Sequence, residues 1–532
     1  MGAYLNPGNQ SFLSFVNTGK YIDKTMLIDV TNRHMDDPSS KFVCVSRPRR
    51  FGKSIAENML VAYYSKGAES RELFSNYKIA KTPDYKKNLN KYNVVYIDLN
   101  ATFAKWQGLP DDERDNSVVY FLNKIVCHEF KSFFPDVDFG EYTSIAEYIQ
   151  RVYAQKNETF VIIIDEYDVL VREQVSEIEL ERYRSFLVSL FKNTPLMPAI
   201  SLAYLTGILP VMKDKIQSKL NTFVPFTMLY AGEFSEFVGF TDEEVKYLCK
   251  KNDCNYDLCK SWYDGYKLGD FDVYNPESVI KTVTTRQFRS YWSGTSTYLV
   301  VDEKIRLNFS GIKEDVIAML SGDKIPVDVE KYDNTMTGFR SKDDVFAFLI
   351  HLGYLAYDET SGRCYIPNRE IHKEWQRVVA DNNDYFETNK IINDSKELLA
   401  QTLMGNEDAV SKALDRSHIH VTSNRSYNNE YCLQSAIYLA YLYALNDYTI
   451  IKELTTGKGF ADIVYIPFDT TKAALIIELK HNKSAGTALT QIKEKRYFDS
   501  LANWKGTILF VGINYDESSK THSCKIERFQ KE

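Results

Sequence analysis

Four short apolar runs set the pattern of the first part of the chain. They are Lys41–Ser46 (KFVCVS), Asn93–Leu99 (NVVYIDL), Phe160–Ile164 (FVIII) and Ser201–Leu205 (SLAYL). Each is continuous rather than alternating, as expected for a strand covered on both faces. Helix-like stretches separate them, and Ser54–Tyr64 follows the first run directly. Strands alternating with helices predict β-α-β crossovers. The expectation is a parallel sheet with helices on both faces, spanning residues 1–233.

The pattern then loosens. Residues 234–375 are aromatic and irregular, and they predict a mainly helical connector or lid. Thr241 followed by Asp242, Glu243 and Glu244 fits a helix start, with an N-cap hydroxyl and acids placed on the positive end of the dipole. Residues 376–532 predict a third domain. Helix signals run to Leu445, two strands follow, then a helix over Ala485–Leu501 and a strand over Gly506–Val511. The polar tail beyond is expected to fray. The fold class is α/β throughout.

Composition narrows the setting. With 65 basic and 72 acidic residues the net charge is −7, and 44% of residues are hydrophobic. A mainly disordered, collagen-like or coiled-coil chain is excluded. No run reaches the roughly 18 uncharged apolar residues of a membrane helix, and the N-terminus lacks the basic-then-apolar pattern of a signal peptide. Eight cysteines are too few for a disulfide scaffold. Cys249, Cys254 and Cys259 recur at five-residue steps, unlike the closer pairs of zinc sites. These features predict a cytoplasmic protein with no membrane partner.

The first candidate chemistry lies at Ser46–Ser54 (SRPRRFGKS), between an apolar strand and a helix. A phosphate-binding loop needs this context, because amides at a helix N-terminus point at the anion. Gly52 permits close backbone approach, Lys53 can reach β- and γ-phosphates, and the Ser54 hydroxyl can ligate Mg²⁺. Phe51 joins the nucleotide-binding set. Arg47 stands where the usual first glycine would be. Arg49 and Arg50 are candidates for a phosphate contact or for a finger into a neighbouring subunit, with a solvated basic turn as the plainer reading. Downstream, Phe160–Ile164 ends in Asp165 and Glu166. Paired carboxylates ending a buried strand call for a nearby cation. In a P-loop ATPase, Asp165 would hold Mg²⁺ and Glu166 would orient or deprotonate the attacking water, with Asp168 in support. Thr206, ending another strand, could sense the γ-phosphate or simply cap a turn.

The second candidate chemistry is a hairpin. Phe460–Ile466 (FADIVYI) and Ala473–Lys480 (AALIIELK) flank the turn Pro467–Lys472. Asp462 and Glu478 are symmetric about Thr470, so such a hairpin brings them side by side. Glu478 and Lys480, two apart, share a face. Two carboxylates and one ammonium suit metal-assisted phosphodiester hydrolysis with Mg²⁺ or Mn²⁺. Glu430 could supply another metal ligand. Gln491 is placed to support Lys480 or contact phosphate. His481 reads as a neighbouring surface residue. The plainer reading is a polar hairpin with a surface Glu-Lys pair.

Both constellations occur together in one known arrangement. The chain resembles the AAA-ATPase-like proteins that carry a C-terminal PD-(D/E)XK nuclease domain. The resemblance rests on Tyr21–Thr25 (YIDKT), SRPRRFGKS, Ile164–Asp168 (IDEYD), Leu205–Gly207 (LTG), Trp262–Tyr266 (WYDGY), Tyr274–Pro276 (YNP), and Gly459–Val464 with Glu478-Leu479-Lys480. Arg47 in place of glycine is that family's own habit. The resemblance implies an N-terminal P-loop NTPase domain and a C-terminal restriction-endonuclease-like α/β domain. It further implies ATP and Mg²⁺ as cofactors, DNA or RNA as partner, and room for a homo-oligomer that completes the nucleotide site. Some nucleases of that superfamily carry Gln-x3-Tyr, whereas here Tyr497 follows Gln491 by six positions, so no tyrosine role is expected. The competing reading is a signalling-type nucleotide switch, whose C-terminal domain binds nucleic acid or a protein without cutting.

Overall fold

The computed structural model describes residues 1–110, 114, 117–210, 222–292, 297–320, 322–332, 338–381, 386–421, 433–434, 437–438, 440–456, 459–467, 469, 471–501, 504 and 506–530. The chain forms two compact units, one of residues 1–291 with 326–367 and one of residues 292–325 with 368–532.

The first unit is built on five strands: β1 (Phe42–Ser46), β2 (Asn93–Asp98), β3 (Phe160–Asp165), β4 (Ile200–Gly207) and β5 (Val224–Phe226). All pairings are parallel, in the order β2-β3-β4-β1-β5. Every residue of β1, β3 and β4 is buried, which is why their sequences are unbroken apolar runs. Helix α1 (Lys53–Tyr64) leaves β1 through the basic loop. Since β4 lies between β1 and β3, its end stands between that loop and the acids that finish β3.

The same unit continues into three helices, Asp242–Lys251, Tyr256–Tyr263 and Pro276–Thr285, around an apolar cluster that includes Cys249 and Cys259. Thr241 and Glu244 form a reciprocal capping box at the first of them, as the acidic start predicted. The aromatic motifs act as staples. The Tyr274 and Tyr256 hydroxyls both donate to Asp242, the Tyr263 hydroxyl meets Thr282 at 2.7 Å, and the Tyr266 hydroxyl donates to the Gly353 carbonyl at 2.6 Å. Gly265 has φ 110°, and a Cβ there would fall 2.0 Å from the Pro367 carbonyl oxygen, so only glycine fits. Short antiparallel strands at 240–241, 266–268 and 271–274 accompany the helices.

The second unit carries a mixed five-stranded sheet: β6 (Tyr448–Thr456), β7 (Gly459–Pro467), β8 (Ala474–His481), β9 (Ile508–Asp516) and β10 (Thr521–Phe529). The strands lie in sequence order, with β8 and β9 parallel and the other neighbours antiparallel. Helices α2 (Phe386–Met404) and α3 (Glu407–Val421) contribute Leu398, Leu399, Val410 and Leu414 to a core shared with Leu475, Ile477 and Leu479. Helix α4 (Ala485–Glu494) packs Leu489 and Ile492 against Ala474 and Ile476 on the opposite parity. The predicted helix over 485–501 is therefore shorter. It stops at Glu494, Arg496 takes φ 52°, and a 3₁₀ turn spans Tyr497–Leu501. The tail does not fray: residues 521–529 pair with β9 as an edge strand, held by the Asp415 carboxylate at His522 and by Glu407 at Ile526.

Candidate functional site

Gly52 caps the start of α1 at φ 92°, a conformation that favours glycine. The turn puts Lys53 inside. Its side chain is buried, and Nζ donates to the Arg47 and Pro48 carbonyls at 3.1 Å each. Burial pushes the Lys53 amine down, while Glu166, Asp165 and Asp168 oppose that shift. The Ser54 hydroxyl donates to Asp165 Oδ2 at 2.7 Å. Thr206, buried at the end of β4, places its hydroxyl 2.8 Å from Asp165 Oδ1 and against the Glu57 carboxyl. One hydroxyl proton cannot serve two carboxylates. Burial, with Asp165 alongside, pushes the Glu57 carboxyl well above the usual carboxylate range and so favours its protonated form.

The three arginines of the loop do different things. Arg47 is fully buried and donates to the carbonyls of Ser46 (2.9 Å), Phe226 (3.2 Å) and Phe234 (3.3 Å). Desolvation lowers its pKa to about 10, so it stays charged at neutral pH. Arg50, at φ 70°, donates to the Tyr291 carbonyl and pairs with Glu277 at 3.2 Å. Arg49 lines an open cavity of about 520 Å³ together with Lys20, Lys24, Lys53, Ser54 and Glu166. Tyr21, Ile22, Met59, Phe237, Phe240 and Ile280 give the cavity apolar walls. Phe51 lines it too, its ring edge-on to Tyr266. Lys24 fixes one wall by binding Glu244 at 2.6 Å and the Glu236 carbonyl. A basic floor, a helix N-terminus and apolar walls suit a nucleotide carrying phosphates.

In the second unit, β7 and β8 pair Ile463 with Ile477, Val464 with Ile476 and Tyr465 with Leu475. That register is the symmetric one, and Asp462 and Glu478 come next along it. Asp462 Oδ2 accepts from the Leu479 amide at 2.7 Å. Glu478 and Lys480 continue the parity of Ala474 and Ile476, on the face that α4 covers. Both are buried, and Lys480 Nζ donates to Glu478 Oε1 at 2.8 Å and to the Leu479 carbonyl at 3.0 Å. From α4, Gln491 donates to Glu478 and lies 2.9 Å from the Tyr497 hydroxyl. Tyr497 thus reaches the site despite its six-residue spacing, because the chain breaks out of α4 and folds back. Gln434 donates to the Asp462 carbonyl at 2.8 Å. Glu430 lies outside the described residues.

Glu478 Oε2 is buried with no hydrogen-bond partner. Burial and then Asp462 raise the Glu478 carboxyl to about 7. An orphaned carboxylate oxygen beside a second carboxylate fits an oxygen-seeking divalent cation. Among the described residues, no group of three His, Cys, Asp or Glu side chains is placed to hold a metal, so further ligands would come from outside those residues, from water or from substrate.

The signals for Glu57, Arg172 and Gln434 were faint. Glu57 stands one turn after Lys53 on α1, among apolar neighbours. Arg172 is four residues after Asp168, the spacing of a helical ion pair. Gln434 had no local signal.

Comparison with known proteins adds family assignments for parts of the chain. Residues 7–217 match the family described as "Predicted AAA-ATPase", and residues 428–524 match the PD-(D/E)XK nuclease superfamily. The chain is similar to an uncharacterized protein in the vnfD 5′ region of Azotobacter chroococcum mcd 1, with 22% identity over 497 residues and 90% of each chain covered. Among solved structures, the Aeropyrum pernix ORC2 protein in its ADPNP-ADP complexes aligns over 71% of this chain and 96% of that one, at 11% identity and a TM-score of 0.29. Its ADP form aligns over 67% and 92%, at 10% identity and 0.28. Likeness at that level carries no argument about either site.

Proposed function

We propose that this chain, which carries an ATPase-like domain and a PD-(D/E)XK superfamily domain, binds and hydrolyses ATP and cleaves phosphodiesters of DNA or RNA. In this reading residues 1–233 are the nucleotide module, 234–375 the connector and 376–532 the cleavage module. The observation that carries it is the pair of sites, each with a buried lysine near paired acids.

At the first, Lys53 and the amides at the start of α1 would hold the phosphates, with Arg49 at the rim. Ser54 and Asp165, now bonded to each other, are the pair that would hold Mg²⁺. Thr206 steadies Asp165, and Glu166 orients the attacking water. At the second, Asp462 and Glu478 would hold Mg²⁺ or Mn²⁺. Such a cation supplies charge stabilisation and a more acidic water. Lys480 neutralises charge developing on the scissile phosphate, while Gln491 fixes the Glu478 carboxylate. No helix among the described residues is long and apolar enough to cross a membrane.

The test separates the modules. Lys53→Ala should abolish ATP turnover, and Asp462→Ala should abolish nucleic-acid cleavage in Mg²⁺ or Mn²⁺. Wild-type behaviour of both variants, each in its own assay, overturns the reading.

A further inference from the structure

The Glu166 carboxylate is held from behind. Glu166 has φ 52°, just past the end of β3, and its side chain lines the nucleotide cavity. Arg172 Nη2 donates to Glu166 Oε2, while Arg172 Nε donates to Asp168 Oδ2 at 3.1 Å. The guanidinium is itself buried, with only 7% of the side chain exposed, and it does not line the cavity. Asp168 is anchored in turn, since the same Oδ2 accepts the Ile208 and Leu209 amides at 3.1 and 2.9 Å. Those amides follow directly on β4, the strand that carries Thr206. A continuous polar chain therefore runs from the end of β4 through Asp168 and Arg172 to Oε2 of Glu166, a residue that lines the cavity.

We propose that Arg172 is the positioning residue of the nucleotide site, fixing Glu166 so that its free oxygen takes a hydrogen of the attacking water. This rests on the ATPase reading above. A planar guanidinium can hold two carboxylates in one fixed geometry, which an ammonium cannot. Arg172 touches no nucleotide, so its effect is on turnover and not on binding.

The experiment uses the full-length chain. ATP affinity is measured by equilibrium binding and turnover by phosphate release, for the wild type, Arg172→Ala, Arg172→Lys, Glu166→Gln and the Arg172→Ala/Glu166→Gln double variant. Arg172→Ala should lower kcat at least tenfold while ATP affinity stays within about threefold. Millimolar guanidinium should restore part of the rate, and Arg172→Lys should keep an intermediate rate. In the Glu166→Gln background Arg172→Ala should cost little more, because the group it positions is already gone. A rate loss of equal size in both backgrounds, or wild-type turnover in Arg172→Ala, overturns the proposal. A kcat loss that tracks lost affinity, with no guanidinium rescue, also overturns it and marks Arg172 as purely structural. A wild-type chain that neither binds nor hydrolyses ATP refutes the ATPase reading itself, a distinct outcome.

Discussion

The two pockets solve the problem of buried charge in opposite ways. In the first, the lysine rests on neutral groups: Lys53 bonds carbonyls of its own loop and Ser54 bonds Asp165, while Glu57 keeps Oε2 without a hydrogen-bond partner. A ligand must replace bonds that already exist. In the second, the lysine and glutamate pair directly, yet one oxygen of Glu478 is left with nothing. An unsatisfied buried oxygen costs about 1–3 kcal/mol. Each site thus holds an unpartnered buried carboxyl oxygen, but Glu57 does not line the cavity, whereas Glu478 stands beside Asp462, where a cation would relieve the deficit. The lesson is that similar residue sets can hold a buried lysine either on backbone carbonyls or on a carboxylate.

The sharpest test of this contrast is removal of the acids and the lysine. Asp462→Ala should lower cleavage by roughly a thousandfold, since several kcal/mol of charge stabilisation is lost. Lys53→Ala should lower ATP turnover by about a hundredfold or more. Thermal denaturation should separate them further: Lys53→Ala removes bonds to carbonyls only, whereas Lys480→Ala strips Glu478 of its ammonium partner and should destabilise the second unit.

Stability against pH comes next in size. The folded Glu478 carboxyl titrates near 7, above its ordinary value, so the folded chain holds this proton more tightly than the unfolded chain. Raising the pH from about 4.5 to about 7 should therefore erode the stability of the second unit, by up to about 3 kcal/mol. Mg²⁺ should cancel the slope and Glu478→Gln should flatten it, both read by chemical denaturation at each pH. A slope unchanged by Mg²⁺ would break the idea of a cation-seeking deficit.

Glu57→Gln should shift stability by less than about 1 kcal/mol, because the amide mimics the protonated acid that Thr206 already contacts. A large loss would mean that Glu57 is ionised in the folded chain. Tyr497→Phe should be the mildest change, a three- to tenfold slower cleavage from one lost hydrogen bond to Gln491.

Sequence alone revealed whatever has a local period or a local motif. Strands β1 to β4 show as unbroken apolar runs because both faces are covered, and the symmetry of Asp462 and Glu478 about Thr470 anticipated the β7–β8 register. The edge strand β10 was also readable in principle, since His522, Cys524 and Ile526 alternate with exposed residues. Its polar composition hid that period. Glu57 and Arg172 stayed hidden for another reason. A charged residue on a helix reads as solvated until the fold shows what packs on it: Thr206, which meets Glu57, comes from a distant strand, and the local Arg172–Asp168 pair shows its burial only in the fold. Tyr497 was obscured because helical spacing assumes that α4 continues, and it does not.

Arg47 has a consequence that reaches beyond packing. Its guanidinium is sealed beneath the phosphate loop, bonded to carbonyls, and has no carboxylate among those hydrogen-bond partners. Dissolved ions cannot approach it, so its field is screened far less than that of a surface lysine. Arg47 thus contributes a positive charge beneath the loop that added salt should weaken only slightly.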